Sequence, residues 1–406
     1  MALQACISIF VTKLLTRERQ LLTILKNTKT SVCESKEKPP EILITPIKEA
    51  KRFMKECFIA LCAPKDKAEA VASNLVTADY RGFYTHGMNR LEKYVRDIQK
   101  KRTNPCADPE IIKETPASAY VNGNNGFGAI TGNFCMCLAM KKAKKCGVSF
   151  VSAKCCNHYG ISSFYSLQAI EQGLIGLSFT NTSPLMTPIR AKKSCLGTNP
   201  IALGAPGLCG DSFVLDMATT AVSLGKIEIM RRKGLPIPQG WAVNEQGQNE
   251  TDATKAYKAA RLLPVGGTEE SSGYKGYGLG MLVEIFCGIL ADANYGPKIR
   301  SWAKVGDSSE AANLGTAYMA LNPDMFGDHF QDRMQDMMDY LRCMEPADPK
   351  KPVMVHGDWE RANMAQVDKD GGLRYVANQH ETNAKLAKEL GIKPPKSFPL
   401  KKSCCC

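Results

Sequence analysis

The sequence has few of the residues and runs that mark specialised protein classes. Of its 406 residues only five are histidine and three are tryptophan, and the aromatic share is 7%. The apolar run at residues 279–293 is shorter than the roughly 20 residues of a membrane-spanning helix, and it contains Glu284 and Asp292. Apolar residues make up 44% of the chain and charged residues 23%, which are ordinary globular values. The composition therefore favours a globular protein of two or more domains, without a membrane partner.

The 17 cysteines lack the spacing of a disulfide framework or a zinc site. Their number is odd, and many lie within apolar helical patterns such as Phe134–Leu138. Paired Cys-x-x-Cys motifs and a secretory signal are both missing from the sequence. Cys155 and Cys156 lie near His158, but adjacent cysteines poorly span one tetrahedral ion. We therefore predict reduced core cysteines, a reducing compartment and no metal site.

The positive charge of the chain does not indicate a nucleic-acid partner. The net charge of +13 comes from lysines and arginines that are spread along the whole chain. An RNA-binding aromatic signature, a zinc finger and a basic zipper are all lacking. A basic cleft for a small anionic molecule accounts for the charge equally well.

The two ends of the chain are predicted to lie outside the folded part. Residues 1–40 are interpreted as an extension that is disordered or directs targeting. Their low acidity resembles a mitochondrial presequence, whereas Glu18 and the low serine content count against one. Residues 397–406 are predicted to form a flexible, cysteine-rich tail, and Ser403 excludes a prenylation motif. The expected location is cytoplasmic, or mitochondrial if the extension is a presequence.

The folded part has the mixed pattern of an α/β protein. From Ile47 to about Asp79 the apolar positions recur every three or four residues, and Pro64 opens a second helix. Strands are predicted at residues 118–123, 147–152, 175–180, 201–204 and 213–217. Further helices are predicted at residues 129–145, 279–293, 328–341 and 383–390, the second of these segments being core.

Two of the five histidines lie in runs that are too polar and glycine-rich to be core. They are His86, within Thr85–Arg90, and His158, within Asn157–Gly160. Histidine changes charge near neutral pH, so the pair suggests proton transfer. If residues 84–95 are helical, His86, Arg90 and Tyr94 project from one face. Each residue alone is usually a surface or core residue, and it is the combination that indicates a site.

Three glycine clusters could approach the phosphates of a cofactor. They occupy residues 123–128, 266–267 and 273–278, and none has the order of the Rossmann dinucleotide fingerprint. Lys275 in the third cluster suits a phosphate or a carboxylate, with a surface lysine as the alternative. Proton donors, a guanidinium and glycine loops together suit hydride transfer between an oxo acid and a nicotinamide.

Several short motifs follow one another in order between about Pro40 and Lys396. They are Ala78–Gly82, Thr85–Arg90, Asn157–Gly160, Leu196–Pro200, Gly240–Val243 and Gly273–Leu279. Together they resemble the malate/L-lactate dehydrogenase family, a non-Rossmann group that also includes sulfolactate and ureidoglycolate oxidoreductases.

The resemblance implies an NAD(P)-dependent oxidoreductase that acts on a small 2-hydroxy or 2-oxo acid such as malate or lactate, usually as a homodimer. It implies an α/β fold with a mixed-sheet cofactor domain of the sulfolactate dehydrogenase-like type, not a Rossmann domain. A helical domain is expected from both ends of the chain, at residues 41–115 and 316–396, with the cofactor domain at residues 116–315. The alternative is a catalytically silent relative that binds a dinucleotide as a scaffold or sensor.

The resemblance also assigns roles to individual residues. The catalytic proton acceptor or donor is His158 or His86, with His158 preferred. Substrate-binding positions are matched by Arg90, Tyr94 and Tyr274. Cofactor-binding positions are matched by Thr182, Asp216, Met217, Ala218, Lys275, His356, Gly357 and Asp358. NAD and NADP remain alternatives, because no acidic residue stands at a recognised Rossmann spacing to read the ribose.

Overall fold

A computed structural model describes residues 42–302 and 310–400. The extension predicted at residues 1–40 and the last six residues of the predicted tail lie outside the described residues. Within the described part, no helix is long and apolar enough to cross a membrane.

The described residues form ten strands and eleven α-helices. The strands are β1 (Ile42–Thr45), β2 (Glu110–Glu114), β3 (Ser118–Asn122), β4 (Val148–Cys156), β5 (Ile175–Thr180), β6 (Ile201–Pro206), β7 (Ser212–Met217), β8 (Leu314–Leu321), β9 (Leu373–Val376) and β10 (Phe398–Pro399). The helices are α1 (Ile47–Ile59), α2 (Lys65–Tyr80), α3 (Met88–Gln99), α4 (Gly128–Cys146), α5 (Ser163–Ile170), α6 (Leu224–Arg232), α7 (Ala253–Ala259), α8 (Gly273–Glu284), α9 (Phe330–Cys343), α10 (Asp358–Asp370) and α11 (Ala377–Leu390). A π-helical segment, Ile285–Ile289, continues α8.

A seven-stranded sheet organises the middle of the chain. Its strand order is β2-β3-β4-β8-β5-β6-β7. Strands β3 and β4 are parallel, whereas the other neighbours in this sheet are antiparallel. A Rossmann domain is built on a mostly parallel sheet, so the predicted mixed, non-Rossmann α/β class is confirmed.

Strand β8 is central in this sheet, and both of its faces are covered. Successive side chains of a strand point to opposite faces. Tyr318 and Ala320 belong to an apolar core that also contains side chains of α4, whereas Ala317 packs with Val283 and Cys287 of the α8 segment. Burial on both faces explains why this strand is almost continuously apolar.

A second apolar core is assembled from both ends of the chain. It contains side chains of α1, α2 and α3 together with side chains of β9 and α11. Strand β1 pairs with β9 on one side and with β10 on the other, and this pairing closes a small three-stranded sheet. The fold therefore has the predicted helical part drawn from both ends.

The seven-stranded sheet extends beyond the limits predicted for the cofactor domain. Strand β2 precedes residue 116 and pairs with β3, and most of β8 follows residue 315. The predicted tail boundary at residue 397 also falls just before β10. The division into domains therefore stays a prediction.

The segment at residues 279–293, which is predicted to be core, is buried on one face only. Val283, Glu284 and Cys287 are buried, as expected for that face. The other face exposes large apolar side chains, by 37% to 57%: Leu279, Leu282, Ile285, Ile289 and Leu290. A helix that is apolar on all sides looks the same in sequence whether one or both faces are covered.

The prediction of core cysteines holds for only part of the set. All twelve cysteines in the described residues are free thiols, and six of them are exposed. Cys135 of α4 is buried, whereas Cys137 is exposed. Two residues correspond to about 200° of rotation in an α-helix, so the second thiol points away from the core.

Candidate active site

Helix α3 begins four residues later than the start predicted at residue 84. A buried carboxylate sets this start, because Met88 N–H donates to Asp79 Oδ2 over 2.8 Å. Tyr375 O–H donates to the same oxygen over 2.6 Å. A Cβ at Gly87 would lie 2.1 Å from Asp79 Cγ, so only glycine fits against the carboxylate. His86 therefore lies in the turn before the helix.

The two histidines lie side by side although they come from distant parts of the sequence. The ring centroids of His86 and His158 are 5.7 Å apart, and the ring planes differ by 24°. Thr85 Oγ1 is 2.8 Å from His86 Nδ1. Tyr94 Oη is 2.7 Å from His158 Nδ1, and the backbone nitrogen of Gly160 lies 3.3 Å from the same atom. On His158, Nε2 is thus the ring nitrogen left for a ligand.

Trp302 covers the histidine pair from a segment far away in the sequence. Its ring centroid lies 4.7 Å from that of His158. Arg90 Cζ lies 5.9 Å from the same indole, and Lys93 Nζ lies 5.3 Å from it. Asp97 accepts the indole N–H over 3.0 Å, which fixes the orientation of the ring.

Burial, together with the positive charges nearby, holds the two imidazoles neutral. Burial lowers the pKa of His86 to about 3, and Arg90 lowers it further. Burial also places the pKa of His158 well below its usual value, with contributions from His86, Arg90 and Lys93. Arg90 Nε is buried without a hydrogen-bond partner among the described residues. The site therefore combines neutral imidazoles with a guanidinium suited to an incoming anion.

Asp216, one of the predicted cofactor-binding residues, contacts the segment that follows His158. Asp216, near the end of β7, accepts the backbone N–H of Ser163 over 2.7 Å at the start of α5. Burial raises the pKa of Asp216 to about 6, although hydrogen bonds with Ser163 act to lower it. Met217 and Ala218, which follow directly, are half-buried.

The other end of β7 contacts the predicted turn at residues 356–358. Val214 N–H donates to the carbonyl of His356 over 3.0 Å, and His356 is exposed. Gly357 adopts a φ of 104°. The carboxylate of Asp358 lies 2.6 Å from Arg361 and 2.9 Å from Arg342, so it is held in an ion-pair network.

Thr182 is joined to the residues after β7 through a second polar turn. Its hydroxyl accepts the backbone N–H of Thr198 over 2.8 Å, and the carbonyl of Thr198 accepts the N–H of Thr219 over 2.8 Å. Glu284 braces this region, because it is 2% exposed and accepts the side-chain amide of Asn199 over 2.7 Å. Most of the predicted cofactor positions thus lie along one edge strand.

Two predicted site residues lie apart from these contacts. Tyr274 and Lys275 are in the first turn of α8, and both side chains are exposed. Their roles in substrate and cofactor binding stay predictions.

Within residues 42–302 and 310–400 there is no group of three or more His, Cys, Asp or Glu side chains that could hold a metal ion.

Comparison with known proteins identifies the family. Residues 45–382 match the model of the malate/L-lactate dehydrogenase family. The chain belongs to this family. Membership makes it an oxidoreductase of the hydroxy-acid dehydrogenase type.

Relatives and solved structures of this dehydrogenase family match most of the chain. Malate dehydrogenase of Pyrococcus abyssi is 36% identical over 344 residues, which are 84% of this chain and 93% of the relative. L-sulfolactate dehydrogenase of Methanocaldococcus jannaschii is 35% identical over 331 residues, or 81% and 92% of the two chains. The crystal structure of malate dehydrogenase from Entamoeba histolytica has a TM-score of 0.82 at 28% identity, and it covers 88% of this chain and 100% of that one.

Sequence reasoning missed several residues that build this dehydrogenase site. Lys93 and Asp97 follow Arg90 by three and seven positions, so the helical spacing that links Arg90 to Tyr94 could have found them. Trp302 and Asp79 have no such local signal, because their contacts to the site join distant segments.

The pH dependence of stability tests the role of Asp79. Burial raises its pKa to about 7 from 3.8, with the hydrogen bonds from Tyr375 and Met88 opposing the rise. A native pKa above the unfolded one gives stability that is complete below about pH 4 and is lost as the pH rises to about 7. Asp79→Asn cannot ionise. We therefore expect the unfolding free energy of the wild type, relative to this variant, to fall by about 1.4 kcal/mol per pH unit across that window.

Urea denaturation of both proteins between pH 4.5 and 7.5 measures this difference. His86 has its pKa shifted the other way and is present in both proteins, so its effect cancels. If the unfolding free energy of the wild type minus that of Asp79→Asn stays constant or increases with rising pH, the carboxyl of Asp79 is not neutral in the folded protein.

Proposed function

We propose that the protein catalyses reversible hydride transfer between NAD or NADP and a small 2-hydroxy acid such as malate or lactate. The observation that carries the proposal is the neutral imidazole pair beside the guanidinium of Arg90. A neutral imidazole can take the hydroxyl proton, and a guanidinium can hold the carboxylate of the same molecule.

The residues along β7 fit a nicotinamide dinucleotide. Asp216 offers a partly buried carboxylate to a ribose hydroxyl, and Thr182 offers a hydroxyl near the same strand. We assign Met217, Ala218, Lys275 and the turn at residues 356–358 to the same cofactor. When bound, the nicotinamide accepts the hydride from the hydroxyl-bearing carbon.

The side chains around the histidines then have distinct tasks. Arg90 binds and orients the substrate carboxylate through paired hydrogen bonds. His158 takes the hydroxyl proton at Nε2 in the tautomer whose Nδ1–H donates to Tyr94 Oη, while the Tyr94 O–H donates to the His158 carbonyl. The His86 imidazole, stacked on His158, completes the polar wall of the site. The indole of Trp302 excludes water from one side of His158.

The relatives support a hydroxy acid with a second acidic group as substrate, since their names specify malate and sulfolactate. The second acidic group would meet the positive surroundings that Arg90 and Lys93 create. Burial, followed by Arg90, lowers the pKa of Lys93 to about 8, so its ammonium is mostly charged at neutral pH.

Substrate oxidation with Arg90→Lys tests this assignment. Nicotinamide absorbance is followed with malate, lactate, sulfolactate and ureidoglycolate, each with NAD and with NADP. We expect the wild type to turn over at least one acid, and Arg90→Lys to lose roughly 100-fold in kcat/KM because a lysine cannot form the paired contact.

Arg96→Lys is the matched control, because Arg96 lies on the same helix and pairs with Glu389 at the surface. If Arg90→Lys turned over every acid at the wild-type rate, Arg90 would not be the residue that binds the substrate carboxylate. Cofactor binding without turnover of any acid would favour the alternative, a catalytically silent scaffold or sensor.

We infer that the exposed apolar face of α8 is a contact between two copies of the chain. Five large apolar side chains are exposed together on this segment, and contiguous apolar surface of this kind marks association sites. A homodimer is the usual state that the family resemblance implies. A cytoplasmic location and the lack of nucleic-acid partners stay predictions.

Sedimentation of a charged variant tests the dimer. Ile289→Glu with Leu290→Glu places two carboxylates on this face, and we expect a monomer at concentrations at which the wild type is a dimer. Ile229→Glu is the control, since Ile229 is 51% exposed on α6. A monomeric wild type, or a double variant that is still dimeric, would contradict the inference.

A further inference from the structure

Arg81, directly after α2, is a buried cation without an anion. The residue is 7% exposed. Its Nε and Nη2 atoms have no hydrogen-bond partner among the described residues, and Nη1 reaches only the sulfur of Met364, at 3.9 Å. A guanidinium offers five donors and stays charged, whereas a thioether is a weak acceptor. Burial of such a group without an acceptor is costly, so its presence calls for a ligand.

The neighbouring arginines show what a satisfied guanidinium looks like in this region. Arg342 lies 2.7 Å from a carboxylate oxygen of Asp211, and Arg361 lies 2.6 Å from Asp358. Arg81 is near enough to the carboxylates of Asp216 and Glu360 to feel their charge. No ion pair forms between Arg81 and a carboxylate in the described part of the chain.

One residue near Arg81 is assigned above to the cofactor, and another directly follows an assigned turn. Asp216 is the assigned residue, and Glu360 lies in the first turn of α10, directly after the turn at residues 356–358. Oε2 of Glu360 is itself buried without a hydrogen-bond partner among the described residues. Unsatisfied donor and acceptor atoms therefore occur together near the end of β7, and they belong to residues other than the histidine pair and Arg90.

We propose that the guanidinium of Arg81 binds a phosphate group of the nicotinamide dinucleotide. The proposal rests on the proposed function. Phosphate oxygens accept paired hydrogen bonds from a guanidinium, which would satisfy the free Nε and Nη2 donors. Arg90 then serves the carboxylate of the substrate, and Arg81 serves the cofactor.

The phosphate has two sources that binding measurements distinguish. The pyrophosphate occurs in both cofactors, whereas the 2′-phosphate occurs only in NADP. Calorimetric titration of wild type, Arg81→Met and Arg81→Lys with NADH and with NADPH gives the dissociation constants. We expect Arg81→Met to weaken binding by about 10- to 100-fold, and Arg81→Lys, which keeps the charge, to weaken it less.

Equal losses for NADH and NADPH would identify the pyrophosphate as the ligand, and a loss confined to NADPH would identify the 2′-phosphate. Unchanged dissociation constants for both cofactors in Arg81→Met would overturn the proposal. If the wild type binds neither cofactor, both this proposal and the proposed function fail. If wild type and Arg81→Met bind equally well, only this proposal fails.

Thermal unfolding separates ligand binding from a structural role. Removal of an unpaired buried charge does not destabilise a protein when an apolar side chain of similar size replaces it. Without cofactor, the melting temperature of Arg81→Met should therefore equal or exceed that of the wild type. Addition of NADH or NADPH should raise the melting temperature of the variant by less than that of the wild type. A lower melting temperature with an unchanged cofactor-induced increase would assign Arg81 a structural role and overturn the proposal.

Arg96→Met is the control in these titrations. Arg96 lies on α3 and pairs with Glu389 at the surface, apart from the residues assigned to the substrate and the cofactor. We expect its dissociation constants for both cofactors to stay within about twofold of the wild type, because it removes one positive charge without removing an assigned contact. A loss as large as that of Arg81→Met would show a non-specific effect of removing positive charge and would overturn the proposal.

Discussion

The buried carboxyl of Asp79 is the constraint on which the site depends. It joins the end of α2, the first residue of α3 and Tyr375 of β9, which come from both ends of the chain. By capping α3 at Met88 it fixes where the turn with His86 stops and where the face with Arg90 and Tyr94 begins. The geometry of the candidate site is therefore a consequence of how the helical core closes.

The site is electrostatically incomplete without its ligands. Arg81 and Arg90 are both withdrawn from solvent with unsatisfied donors. Such groups lower the stability of the free protein, and they persist in proteins where function requires them. The proposed reaction involves two kinds of anion, the carboxylate of the substrate and the phosphates of the cofactor. Arg90 and Arg81 are the donors that we propose for them.

Local patterns predicted local structure well. The strand at residues 175–180 is observed over the same range as β5, because alternation and flanking turns define it fully. The predicted start of α3 was wrong. A turn and a helix both place His86 near Arg90, and the hydrogen bond from Met88 to Asp79 decides between them. The exposed face of α8 could not be predicted, because its apolar residues do not reveal what covers them. Trp302 joined the site through contacts that no spacing encodes.

The protonation of the two histidines tests the central claim most directly. Nuclear magnetic resonance titration of the imidazole nitrogens in the free protein, with His86→Gln and His158→Gln for assignment, follows each ring separately. The account predicts that both rings are neutral at pH 7 and that His86 remains neutral at pH 5, since burial and the neighbouring cations depress both pKa values. Titration of both imidazoles near the ordinary pKa of about 6.5 would contradict a desolvated, positively flanked pair.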